Sequence, residues 1–169
     1  TPTIFLCAAA TAVCAADRPP AFPGAEGFGA GSLGGRGGQV IKVTNLDARG
    51  PGSLQAACSV EGPRMVVFDV SGVIHSDIVI EHGRISIMGQ TAPGAGVTIA
   101  GMLLTRYNPP QPIEDVVVRF LRVRPTTTGG SGGDAIQFSQ ASRVMLDHVS
   151  CSWACDETID ISSAQDVTV

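Results

Sequence analysis

Short apolar runs recur along the chain from Val40 to Val169, separated by glycine, proline and polar turns. Within many of them apolar residues alternate with polar ones, the two-residue period of a strand with one buried face. This pattern predicts strands over Met65–Val70, Ile78–Ile80, Ile85–Met88, Val97–Ala100, Val116–Val123, Ile136–Phe138, Val144–Asp147, Ile159–Ile161 and Val167–Val169. Two loose series of repeats emerge. One is Ile85, Val116, Val144, Val167, with spacings of 31, 28 and 23 residues; the other is Val79, Ile99, Ile136, Ile159, with spacings of 20, 37 and 23. Self-similarity of roughly 20–50 residues built from strands alone points to a β-solenoid, whose coils must stack to bury their apolar sides. The uneven spacings fit loops of variable length, such as Tyr107–Glu114 and Thr126–Gly133. A β-sandwich is the structural alternative, and the lack of Asn-Gly hairpin turns argues mildly against it. One helix signal interrupts the strands: Ser53 can cap a short helix through Leu54, Ala56, Ala57 and Cys58, ended by Gly62 and Pro63.

Composition agrees with short strands and tight turns: 44% of the 169 residues are hydrophobic, with 21 Gly and 11 Pro. The net charge of −4 and the absence of any basic run exclude an electrostatic nucleic-acid binder. Residues 1–16 contain the uncharged, small-residue-rich run Ile4 to Ala16, which reads as the remnant of a signal peptide and is shorter than the about 20 apolar residues a membrane span needs. The expectation is a secreted protein, extracellular or periplasmic. A buried N-terminal helix is the alternative. Residues 17–38 form a glycine-rich lead-in, and residues 39–169 the first coils of a solenoid domain. The lead-in contains Gly29-Ala30-Gly31-Ser32-Leu33-Gly34, which fits GxGxxG. No strand precedes it and no helix follows, so a dinucleotide site is rejected. Beyond Cys7 and Cys14, the odd set Cys58, Cys151 and Cys155 makes a full disulfide framework unexpected, although a Cys151–Cys155 bridge would be feasible.

Candidate chemistry concentrates near the end of the chain. Asp147, Asp156, Glu157 and Asp160 fall within fourteen residues, and no Lys or Arg follows Arg143. With Ile159 and Ile161 inward, Asp160 points outward; with Ile136 and Phe138 inward, Gln137 points outward. The 23-residue spacing sets Gln137 beside Asp160 and Asp134 beside the Asp156-Glu157 turn. With strands about 4.8 Å apart, Asp134, Asp156 and Asp160 would converge on one outer patch. Each like-charge pair at about 4 Å costs on the order of 4 kcal/mol at an effective dielectric of about 20. A hard cation reverses that cost, and an all-oxygen, partly open site suits Ca²⁺; a solvated acidic face is the alternative. A zinc site from His148, Cys151 and Cys155 lacks a fourth ligand. His75, His82 and His148 read as structural, and Trp153 as a cap on the core at a turn in preference to a sugar-stacking residue.

Seven segments, in order from Phe22 onward, resemble the pectate lyases of polysaccharide lyase family 1: PGAEGFGAGSLGGRGG, VTNLDARGPGSLQAAC, MVVFDVSGVI, IMGQTAPG, VVVRFLRVRP, GGDAIQF and LDHVSCSWACDETID. The resemblance implies a right-handed parallel β-helix that binds Ca²⁺ and cleaves (1,4)-linked galacturonan by β-elimination. By motif, Asp134 matches a calcium ligand, and Asp156 and Asp160 match two acidic ligands four residues apart. Gly132 and Ala154 depart from the pattern, where relatives carry Asp and Gly. Asp147 and His148 match an Asp-His pair near the cleft, taken as structural support. The family's catalytic Arg lies on coils after the calcium segment, so none of Arg119, Arg122, Arg124 and Arg143 is nominated for that role. The chain then reads as the N-terminal part of a longer, monomeric enzyme, with a β-helix truncated at its C-terminal end and inactive alone. A polygalacturonase-type hydrolase and a non-catalytic carbohydrate-binding or structural β-helix are the alternatives.

Overall fold

The computed structural model describes residues 18–126 and 133–169. The leader run and Gly132 therefore lie outside the described residues. Among the described residues fourteen strands run β1 (Gln39–Val43), β2 (Arg64–Phe68), β3 (Gly72–Ile74), β4 (Ile78–Ile80), β5 (Ile85–Met88), β6 (Val97–Ile99), β7 (Leu103–Thr105), β8 (Ile113–Arg119), β9 (Arg122–Val123), β10 (Ile136–Ser139), β11 (Ala141–Asp147), β12 (Ser150–Cys151), β13 (Ile159–Ser162) and β14 (Gln165–Thr168). One helix, α1 (Leu54–Cys58), lies between β1 and β2. The strands wind into three parallel sheets. The first is β1-β2-β5-β8-β11-β14, the second β3-β6-β9-β12 and the third β4-β7-β10-β13. The chain is thus a parallel β-helix of four three-strand coils, with β1 before them and β14 after.

The core is a set of side-chain ladders running along the helix axis. In the first sheet Val66, Ile87, Val118 and Leu146 stack in register and are buried. Ile85, Val116, Val144 and Val167 stack beside them, as the first repeat series anticipates. The second series is corrected. Ile136 and Ile159 pair, but they continue through Leu103 to Ile78. Ile99 belongs to the second sheet, between Ile74 and Val123, and Val79 faces outward opposite Leu104. Three-residue strands one turn apart carry too little periodicity to separate two adjacent sheets. The predicted strand Val116–Val123 is likewise two strands. It breaks at Phe120, whose φ of 54° turns the chain into the second sheet, and His148 makes the same corner one coil on with φ 52°. Their rings stack at 4.4 Å.

The open first coil is capped by α1. Ser53 accepts the Ala56 amide as N-cap, and Leu54, Ala57 and Cys58 close over the core. Gln55 substitutes for a missing strand partner of β4: its Oε1 accepts the Val79 amide at 2.8 Å and its Nε2 donates to the Val79 carbonyl at 3.0 Å. Beneath the helix lies Arg64, fully buried. Its five N–H groups donate to the carbonyls of Ala57, Cys58, Gly62, His82 and Gly83 at 2.8–3.0 Å. Two of these acceptors end α1, where a cation is favoured.

The lead-in crosses the outside of the first sheet against the direction in which the coils accumulate. The Gly29 amide donates to Thr168 on β14, the Leu33 amide to Asp115 on β8 and the Gly35 amide to Ser86 on β5, each at 2.9 Å. The amides that a nucleotide phosphate would need are therefore committed. Glycine is required by proximity: a Cβ on Gly29 would sit 2.0 Å from the Val144 carbonyl oxygen, and one on Gly35 would sit 1.8 Å from that of Arg64.

Cys58, Cys151 and Cys155 are free thiols. Burial pushes the Cys58 thiol up to about 12 and raises Cys151 as well. Since the thiolate is the reactive form, a maleimide under native conditions should label exposed Cys155 first, Cys151 slowly and Cys58 only after unfolding. Peptide mass spectrometry checks the order, and rapid native labelling of Cys58 would contradict the fold described here.

Candidate metal centre

Parallel pairing of β10 with β13 matches Ile136 to Ile159, which brings Asp134, two residues upstream, level with Glu157. The match is closed by a hydrogen bond from the Glu157 amide to Asp134 Oδ1 at 2.9 Å. The Cys155 amide also donates to the Gly133 carbonyl at 3.2 Å, fixing the turn that carries Asp156. As a result, carboxylate oxygens of Asp134, Asp156 and Glu157 lie within 4.8 Å of one another. Asp134 is buried, whereas Asp156 and Glu157 are exposed. The neighbouring Asp156 charge, reinforced by hydrogen bonding to Asp134, pushes the Glu157 carboxyl above its usual range. The trio therefore repels itself as an anion cluster, and its hard oxygen donors fit a cation such as Ca²⁺.

Asp160 lies outside the trio. It projects from β13 opposite Gln137, as the spacing anticipates, and its Oδ2 is 3.4 Å from Gln137 Nε2 and 3.5 Å from Ser162 Oγ. Glu157, unassigned from sequence, takes the third place in the cluster. Its closeness to Asp134 could have been read from the same 23-residue register that places Asp160. Parity favours Asp160 only while residue 157 is treated as strand, and it sits in the turn before β13.

Other nominated residues lie elsewhere. Asp147 ends β11 at the corner between the first and second sheets. It pairs with Arg119 at 2.5 Å and with His148 Nδ1 at 2.9 Å. Burial alone would raise the Asp147 carboxyl, but these two partners outweigh it and hold it below the usual range. Arg119 also lies over the Phe22 ring, 3.7 Å from its centroid. Arg143 pairs with Glu114 and with buried Asp115, and Arg122 with Thr98 and the Ala95 carbonyl. Trp153 does not cap the core: it is 73% exposed. Among the described residues the carboxylate trio is the group able to hold a metal, and the His148-Cys151-Cys155 set does not assemble.

Against known proteins, no protein-family model matches the chain. Over 166 residues it is 47% identical to a probable pectate lyase C of Emericella nidulans, covering 97% of this chain and 37% of that protein. It is 48% identical over 151 residues to a probable pectate lyase C of Aspergillus fumigatus, covering 88% and 35%. The chain is a pectate lyase homologue. It spans about a third of the length of these curated relatives. The fold of this homologue also matches the crystal structure of Jun a 1, the major allergen from cedar pollen. The TM-score is 0.69 at 22% identity, over 85% of this chain and 46% of that one. Among the described residues no helix is long and apolar enough to cross a membrane.

Proposed function

We propose that this chain supplies the calcium-binding coils of a secreted pectate lyase that cleaves (1,4)-linked galacturonan by β-elimination. The observation that carries the reading is the convergence of Asp134 with Asp156 and Glu157 on the outside of a β-helix homologous to pectate lyases. Asp134 would be the anchoring ligand, because burial and the Glu157 amide fix its orientation. Asp156 would join it, and Glu157 or Asp160 would complete the protein's share of the shell. A bound Ca²⁺ supplies Lewis-acid stabilisation of charge developing on the uronate carboxylate. The trio sits at the strand edge, where solvent and a polysaccharide both have access. The paired guanidinium groups of Arg119 and Arg143 face Asp147, Glu114 and Asp115 and take no part in proton removal. No arginine of this chain is nominated as the base.

On polygalacturonate, the full-length protein should release unsaturated products that absorb in the ultraviolet, and a chelator should abolish the signal. New reducing ends without unsaturation would sink the lyase reading in favour of a hydrolase.

A further inference from the structure

We propose that the cleft at the corner between the first and second sheets is a binding site for an oxyanion, carboxylate or phosphate, separate from the carboxylate trio. That corner is turned at Phe120 and, one coil on, at His148. In the coil before, residues 89–96 make the same turn as a longer loop. This loop and the two ring residues line a cleft of about 480 Å³, the size of a small-ligand pocket. The trio lies at the entry to β13 on the third sheet, so the width of the second sheet separates the two places.

Charge sets the ligand class. The chain has a net charge of −4, yet no acidic residue lines this cleft among the described residues, whereas Arg122 and His148 do. The strands β3, β6, β9 and β12 behind it also contain no Asp or Glu. Asp147, at the corner itself, is taken up by Arg119 and by His148 Nδ1. A cationic concavity of this kind concentrates anions.

The donors are held in place before any ligand arrives. Arg122 lies between Thr98 and Ser150 in the register of the second sheet. Its Nε donates to Thr98 Oγ1 at 2.9 Å and its Nη2 to the Ala95 carbonyl. Nη1 is unbonded among the described residues, and a guanidinium tied at two nitrogens has little freedom left to lose on binding. Gly96 keeps one side of it uncovered: a Cβ there would lie 3.6 Å from Nη2 and 3.8 Å from Nη1. His148 is fixed by the Phe120 ring at 4.4 Å and by Asp147 at Nδ1, which leaves Nε2 unbonded among the described residues. The Gly94 and Ala95 amides, on the loop beside Arg122, also have no partner there. An oxyanion accepts from several such donors at once, and its bond to a guanidinium is charge-assisted. A neutral or cationic ligand forgoes that bond.

The test uses the full-length protein, freed of metal by a chelator so that no calcium bridges a carboxylate to the trio. Phosphate and monomeric galacturonate are titrated separately, at low ionic strength, into protein carrying isotope-labelled histidine. Magnetic resonance follows the His148 ring signal, identified by its loss in His148→Gln. The signal should move saturably with at least one of the two anions. Arg122→Gln should weaken the response by at least about tenfold, the scale of one hydrogen bond to a charged group. Ala95→Glu alters an exposed side chain and keeps the carbonyl that holds Arg122, and its added carboxylate should weaken the response as much. If thermal unfolding shows Arg122→Gln to be misfolded, Ala95→Glu carries the test. A response to galacturonate alone assigns the site to a sugar acid, to phosphate alone to a free oxyanion, and to both to their shared chemistry. No movement with either anion overturns the site. So does a shift that sodium chloride reproduces at equal ionic strength, or one that Ala95→Glu leaves intact. Neither calcium nor unsaturated products enter these readings, so the lyase reading stands or falls apart from them.

Discussion

Arg64→Met should lower the stability of the β-helix by about 4 kcal/mol or more, a large share of the roughly 5–15 kcal/mol that holds a domain together. The reason is the number of acceptors left behind. All five N–H groups of Arg64 are bonded to carbonyls in a site closed to water. Each buried acceptor deprived of a charged donor costs about 1–3 kcal/mol. Methionine fills much of the volume, so the loss reads polar satisfaction more than packing. The acceptors come from three places: the end of α1, the Gly62 turn before β2, and the His82-Gly83 turn before β5. One side chain thus joins the cap to the first coils. Arg64→Lys, which keeps the charge but offers a single nitrogen in place of a planar fork, should fall between the two. Denaturant midpoints with unchanged slope check the order, and equal midpoints for all three proteins would show that the cap holds without Arg64.

The sequence reading carried the first sheet from β2 onward, though not β1, because its inward residues are mostly β-branched. Ile85, Val116, Val144 and Val167 could be aligned without any structure. The second and third sheets were harder. β9 and β12 have two residues each, and the corners at Phe120 and His148 use left-handed backbone at non-glycine residues, which no local propensity announces. The capping helix was readable from Ser53, a local signal. Arg64 was not, because five carbonyls from separate turns are a product of the fold. At the acidic site, register gave the pairing of Asp134 with the Asp156-Glu157 turn and of Gln137 with Asp160. Which carboxylates meet depends on where the turn ends and β13 begins, and parity cannot supply a boundary one residue wide.

Asp134→Asn should weaken Ca²⁺ binding by at least about 100-fold, since even residues one step removed from a metal typically cost 10–100-fold. The substitution suits the question because asparagine keeps an oxygen to accept the Glu157 amide, so the turn carrying Asp156 retains its tether. What is removed is one negative charge and one hard donor. Calorimetric titration of Ca²⁺ into the full-length protein reads the loss, and lyase activity should fall with it and recover partly in excess Ca²⁺. Glu157→Gln and Asp160→Ala divide the remaining ambiguity. If Glu157 completes the shell, its variant binds weakly and Asp160→Ala binds normally; the reverse result returns the third place to Asp160. The pH dependence has a definite sign. In the ion-free trio the Asp156 charge holds the Glu157 carboxyl above its ordinary range, so a proton competes there with the metal at higher pH than at an isolated carboxylate. Affinity should therefore rise as pH climbs through that range, and Glu157→Gln should flatten the rise if Glu157 is a ligand. A Ca²⁺ titration unchanged by Asp134→Asn would remove the buried carboxylate from the site, and with it the reason for reading the trio as a metal centre.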